Sequence, residues 1–328
     1  MEHSIFLVGG YHLDADVCSV KVFELDLRNE QWIESCEIPR TCTVNCGASL
    51  SNGEIYIFGG HDSISGETST SIDRFNFANK KWTEWASIPS VMFLNSVVFA
   101  EEDSSFYFSG DLTGTTSESG MRRDTETLLR PSADELWWKD RQAGIFHAPG
   151  SKLWRISPDT QKSQEVPTKT TLMDAPITLI SESSVFSCGG FDEAGTASAS
   201  SSVIHSLHSA PCTSKKTSAL LVPRGSHGLI RCAAHVYAVG GTWRLGGRRS
   251  FRSCEVYDTH RNQWFFSPKM SQPRRNFGLT SRGNQLIVFG GFDGEKGIFF
   301  DGEFHDVRTG SWRKGPDVPS LLWNYAIA

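Results

Sequence analysis

Five Gly-Gly doublets, each closing a short β-prone run, constrain this 328-residue chain more than any other feature. Gly9-Gly10 ends Ser4-Ile5-Phe6-Leu7-Val8, and Gly59-Gly60 ends Ile55-Tyr56-Ile57-Phe58. The signature returns at Gly189-Gly190, Gly240-Gly241 and Gly290-Gly291, and Ser109-Gly110 keeps the register with one glycine missing. Except for one gap of 80 residues between Gly110 and Gly190, successive marks stand 50 or 51 residues apart. A self-similar unit of that length calls for a body made by repeating one supersecondary piece.

A second mark confirms the period. Trp32, Trp82, Trp264 and Trp312 fall 22 to 24 residues after the first Gly of their doublets, and Asp26, Asn76, Asp258 and Asp306 stand six residues before them. Asp or Asn opens a turn by accepting a backbone N–H two residues on, and an Asn or Gly near the turn's end supplies a left-handed residue. The Trp then opens the next strand and packs its face between sheets, which makes it a core residue rather than a ligand contact.

Doublet, Tyr-Asp turn and offset Trp together resemble the kelch motif, in repeat form over nearly the whole chain. The resemblance implies an all-β, six-bladed kelch β-propeller spanning residues 1–328 as one domain. Each blade is a four-stranded antiparallel sheet whose strands run A to D from the axis outward. Blade 2 takes A near Gly47–Leu50, B at Ile55–Gly59, C at Ile72–Phe77 and D at Trp82–Ala86. The degenerate blade 4 is expected to place its outer strands at Val203–Ser206 and Ala219–Val222. The chain starts on a B strand and finishes on Asn324–Ala328, an A strand; their pairing closes the ring and leaves no open edge there. The 80-residue gap is read as an insertion at about 111–150 in the B–C loop of blade 3, polar and mobile through Ser132, with Leu136-Trp137-Trp138 in its second part. A seventh, diverged blade built from Glu135–Arg141 and Gly144–Ile156 stays open as the alternative.

The formal net charge of −5 gives no reason to expect nucleic acid. No run approaches 18 apolar residues, so no membrane partner is expected. The first strand begins at Ser4, which leaves no room for a signal peptide, and no Asn-x-Ser/Thr sequon occurs. The eight scattered cysteines contain no C-x-x-C pair and read as buried thiols of a reducing compartment. A cytoplasmic or nuclear protein is expected.

Catalytic patterns are missing: there is no His-Glu-x-x-His, no phosphate-binding Gly loop and no zinc spacing. No catalytic residue, metal or cofactor is therefore expected. What stands out instead is the B–C loop of blade 5, Thr242 to Arg252, with Arg244, Arg248, Arg249, Arg252 and Trp243 in eleven residues. The loops leading into A strands add Arg40, Arg224, Arg274, Arg275 and Asn276. In a propeller both classes of loop emerge on one face, and Trp323 and Tyr325 offer apolar anchors there.

The expected function is protein–protein interaction: capture of an acidic or phosphorylated partner segment on a basic face, since the guanidinium fork binds carboxylate and phosphate bidentately. The resemblance further implies a ubiquitin-ligase substrate adaptor. The alternative, also implied by resemblance, is a propeller enzyme of the sialic acid mutarotase or lyase kind working in the central channel. For Arg40, Arg224 and Arg274 a structural role stays open, each arginine pairing an Asp or Glu of a neighbouring blade.

Overall fold

The computed structural model describes all residues except 1–2, 13–14, 16, 42–43, 63–64, 66, 91, 116–144, 148–151, 168–171, 182, 206–212, 320–321 and 324. The described residues form strands and turns and no helix. Among the described residues six antiparallel blade sheets, each with four strands in radial order and that of blade 3 with a fifth added to its B strand, surround a channel lined by the A strands, and two small sheets of two and three short strands lie beside them.

The B strands show how the sequence makes this shape. Ile5, Phe6, Leu7 and Val8 are all fully buried, yet they serve two different layers. Phe6 and Val8 pack with Ile55, Ile57 and Phe75 of blade 2, whereas Ile5 and Leu7 pack with Ile287, Phe289 and Phe304 of blade 6. Alternate side chains of a strand point to opposite sheet faces, so a continuous apolar run is what a strand covered on both faces requires. The same division recurs at every joint: Tyr56 and Phe58 meet Phe106 and Phe108, Tyr107 meets Val185, Phe186 meets Val236, and Tyr237 and Val239 meet Leu286 and Val288. Each of the six joints has its own apolar layer.

The ring closes through Ala326–Ile327, which pairs antiparallel with Ser4–Val8 in the register Leu7 to Ile327 and Val8 to Ala326. Phe6 and Ala328 exchange both backbone hydrogen bonds, at 2.8 and 2.9 Å. Blade 1 thus runs Ala326–Ile327, Ser4–Val8, Lys21–Asp26 and Gln31–Glu37. Lys152–Ile156 pairs with Phe106–Gly110 and is the C strand of blade 3, so the seven-bladed alternative falls.

The B strand of blade 3 runs on from Ser105 to Thr115, beyond the five residues of the other B strands, and Ile145–His147 pairs back onto its far end, within the stretch read as an insertion at about 111–150. The stretch through Ser132 and Leu136-Trp137-Trp138 lie outside the described residues. One boundary needs correction: in blade 4 the outer strand is Thr213–Lys216, not Ala219–Val222. All four of its residues are exposed, while the apolar run after it is the connection to blade 5, with Leu220 buried beneath.

The C–D turns form as the sequence predicts. Oδ1 of Asp258 accepts from the backbone N–H of His260 and Arg261, and Asp306 does the same for Arg308 and Thr309. These bonds lower the carboxyl pKa of both residues. The left-handed residue before each Trp is Asn262 in blade 5, but Glu30 and Lys80 occupy that place in blades 1 and 2 at φ 56°.

Candidate functional site

Arg40, Arg224 and Arg274 do not project from the loop face but turn into their own sheets. Arg224 and Arg274 are fully buried, and each is the centre of one repeated clamp. The Nη1 of Arg224 donates to the carbonyl of Gly240 at 2.7 Å and its Nη2 to Oε1 of Glu255 at 2.5 Å. Arg274 repeats this on Gly290 at 2.6 Å and Glu303 at 3.0 Å, with Asp301 at 2.7 Å as a second acid. Arg40 does it on Gly59 at 2.6 Å and Asp73 at 2.5 Å. The acid belongs to the blade the arginine leads into, not to a neighbouring blade, and the clamp ties a D–A loop to the B and C strands of its own sheet. The carbonyl it holds is that of the first Gly of the doublet. At that place in blade 5, Gly240 has φ 62°, and a Cβ would stand 2.4 Å from the carbonyl oxygen of Arg274. This close approach is the physical reason for the doublet.

Arg275 is also buried. Its guanidinium lies 4.7 Å from the centre of the Phe292 ring and donates to the carbonyl of Gly247, bracing the blade 5 loop from below. Tyr325 is no rim anchor either: its hydroxyl is buried against Gly290 and, among the described residues, finds no hydrogen-bond partner. Burial pushes this phenol far above its ordinary pKa. Trp323 sits in a short strand paired with Tyr11–His12 on the loop face, and its side chain lies outside the described residues.

The remaining arginines come together in the open. The loop from Thr242 to Arg252 is held at both flanks. On one side Leu245 N–H donates to Gly195 and Trp243 O accepts from Ala197; on the other Ser250 N–H donates to Asp293 at 2.7 Å and Ser250 Oγ to Phe292 at 3.0 Å. Inside it, Thr242 Oγ1 donates to the carbonyl of Arg249 at 2.8 Å. On this braced backbone Arg244, Arg248, Arg249 and Arg252 are exposed, and Trp243 is 51% exposed. Among the described residues the side chains of Arg244 and Arg248 make no ion pair or hydrogen bond. Arg249 reaches Glu295 at 2.8 Å, both largely in solvent, and Arg252 donates to the carbonyl of Met270. An exposed pair of this kind is held weakly and can be exchanged for another acid.

Leu245, in the middle of the loop, also lines the central channel, a cavity of about 350 Å³. Its mouth holds a set of residues that sequence reasoning missed except for Asn276. Asn45, Asp174, Ser226 and Asn276 line it from four blades, all with φ between 49° and 52°. Ser226 Oγ donates to Asp174 at 2.6 Å, and Asp174 N–H donates to Asp111 at 2.9 Å. The signal was present: Asn45 and Asn95, and Ser226 and Asn276, stand 50 residues apart at one register of the repeat. Among the described residues the ionisable groups lining the channel are Asp111, Asp174 and His227 together with the Cys46 thiol and the Tyr325 phenol, and no arginine, lysine or glutamate lines it. Among the described residues no three His, Cys, Asp or Glu side chains group to hold a metal ion.

Comparison with known proteins agrees with this architecture. The family described as Kelch motif matches residues 42–87, 223–271 and 273–319. The chain is 39% identical over 64 residues to Kelch-like protein 8 of Mus musculus, covering 20% of this chain and 10% of that protein. It is 40% identical over 62 residues to Kelch-like protein 8 of Caenorhabditis elegans (19% and 9%) and 26% identical over 113 residues to Kelch-like protein 36 of Rattus norvegicus (34% and 18%). The matches thus span less than a fifth of these relatives' lengths. The solved structure of YjhT superposes with a TM-score of 0.69 over 94% of this chain and 96% of its own, at 12% identity, which is a likeness of fold.

Proposed function

We propose that this chain, a kelch-repeat β-propeller, captures an acidic or phosphorylated segment of a protein partner on the blade 5 side of its channel mouth. The kelch repeats and Kelch-like relatives support a protein-interaction role. An acidic partner is supported by four exposed arginines and a half-exposed tryptophan that share one braced loop at the rim of a channel in which, among the described residues, no arginine or lysine lines the wall. Arg244 and Arg248 supply donors not engaged by described residues, Arg249 can leave Glu295 for a partner acid, and Trp243 offers an apolar face beside them. An adaptor role would follow if the captured protein were handed on for modification. Affinity capture from the source cell with the wild type and with Arg248→Glu/Arg249→Glu tests the reading. Loss of the captured acidic protein without a change in thermal unfolding supports it; unaltered capture overturns it.

A further inference from the structure

The outer strands of propeller blades are free edges, and an exposed edge is a template for pairing with another chain unless charge or shape prevents it. Five of the six outer strands here carry charge. Gln31–Glu37 holds Glu34 and Glu37, Lys81–Ser87 holds Lys81 and Glu84, and Ser163–Val166 holds Glu165. Thr213–Lys216 holds Lys215 and Lys216, and Ser311–Lys314 holds Arg313 and Lys314. The outer strand of blade 5, Gln263–Ser267, reads Gln-Trp-Phe-Phe-Ser and holds none. It is the last strand of its sheet, and Phe266 is 64% exposed and Phe265 40% exposed. Phe265 also borders a groove of about 480 Å³ between blades 5 and 6, lined by Tyr237, Val256 and Val307 among others.

We propose that this strand is a self-association edge, on which a second copy of the chain pairs antiparallel across a two-fold axis. The occupant is argued from charge. Pairing an edge with itself about its midpoint sets Glu34 against Glu34 in blade 1 and Glu84 against Glu84 in blade 2, and it gathers the cations of blades 4 and 6 into one ribbon. Like charges directly opposite destabilise a strand pair. In blade 5 the same operation sets Phe265 against its own copy and Trp264 against Phe266, which are aromatic cross-strand pairs of a stabilising kind. A two-fold interface needs one self-complementary patch, and this strand is one. The flanking cation Arg261 is already matched by Asp258 at 3.7 Å.

Sedimentation equilibrium of the whole chain over a micromolar concentration range, with hydrogen exchange on the same samples, tests this. The expected result is a concentration-dependent dimer whose amides at 263–267 become protected as it forms. Phe266→Lys raises the dissociation constant about 100-fold or more, because it places an unpaired charge in the apolar seam. Since Phe266 is mostly exposed, the variant's unfolding curve matches that of the wild type at concentrations where both are monomeric, and Phe266→Thr gives an intermediate dimer. Raising the salt concentration does not dissociate the dimer, because no ion pair holds it. A chain that stays monomeric throughout, or a dimer that Phe266→Lys leaves intact, overturns the proposal. So does protection of this edge only when some other protein is added.

Discussion

Replacing Glu255 by Gln keeps the shape of the clamp and removes its charge. Glu255 is fully buried and accepts three bonds: from Arg224 Nη2 at 2.5 Å, Leu221 N–H at 2.7 Å and Val222 N–H at 3.0 Å. The variant leaves a fully buried guanidinium with no counter-charge. Breaking such a pair from one side costs about 3–5 kcal/mol. The amide also sets an N–H₂ where Oε2 accepted from Leu221 N–H, if its oxygen stays on Arg224 and Val222, which adds about 1 kcal/mol of unsatisfied polar cost. A loss of about 4 kcal/mol is a large share of the roughly 5–15 kcal/mol that holds a typical domain together. The assay is urea unfolding of the variant against Glu295→Gln, which removes the acid from the exposed pair with Arg249 and should leave the unfolding midpoint near that of the wild type. The double variant Arg224→Met/Glu255→Leu stays destabilised, because the carbonyls of Gly240 and Ser253 lose their donor, but by less than the sum of the two single changes. If Glu255→Gln unfolds within about 1 kcal/mol of the wild type, the clamp does not hold the D–A loop and the reasoning fails.

Gly240→Ala and Gly283→Ala both force a left-handed residue, at φ 62° and 58°, but only the first meets backbone. Gly283→Ala should cost about 1 kcal/mol and Gly240→Ala about 2–4 kcal/mol by denaturant midpoint, the difference measuring the close approach. His227 is held neutral, well below its ordinary pKa, by burial and then by the charge of Arg224, with Cys188 Sγ at 3.6 Å as its other titratable neighbour. The unfolded chain therefore takes up a proton below about pH 6.5 that the folded chain refuses, and this part of stability is lost as pH falls through that value. Phe277 and Tyr325 occupy the same place on the next two doublets, so His227→Phe should fold and should flatten the acid side of the melting-temperature profile. Removing Ala326–Ala328 deletes both Phe6–Ala328 backbone bonds, the pairing of Val8 with Ala326 and the packing of Ile327, and should cost about 2–4 kcal/mol in the same unfolding assay, more than trimming an unpaired tail.

The ring itself was legible because its signals are periodic. A glycine doublet, an Asx turn and a packed Trp each repeat, so a degenerate copy such as Ser109-Gly110, where the strand runs straight on, could still be placed. The outer strand of blade 4 was not legible. Its Thr-Ser-Lys-Lys carries no alternation and no Trp, while Ala219-Leu220-Leu221-Val222 looks like a strand but is a connection whose N–H groups bind Glu255. The arginines are the sharper case. Residue type alone cannot separate Arg224 and Arg274 from Arg248 and Arg249. Register can: Arg224 and Arg274 each stand 16 residues before the first Gly of a doublet and about 30 before a glutamate of the C strand. A charge that recurs at a fixed offset with its counter-charge is part of the scaffold. Arg244, Arg248, Arg249 and Arg252 follow no such offset, and they stay in solvent.

Acid recognition by that one loop is measured most directly by equilibrium binding of the chain to matched peptide sets that differ only in acidic, phosphorylated, neutral or basic residues. Acidic and phosphorylated peptides should bind best and weaken with rising salt, and Arg248→Glu/Arg249→Glu should reduce their affinity at least about 10-fold while leaving the unfolding curve unchanged. Equal binding of acidic and basic peptides, or undiminished binding by the double variant, would contradict the account.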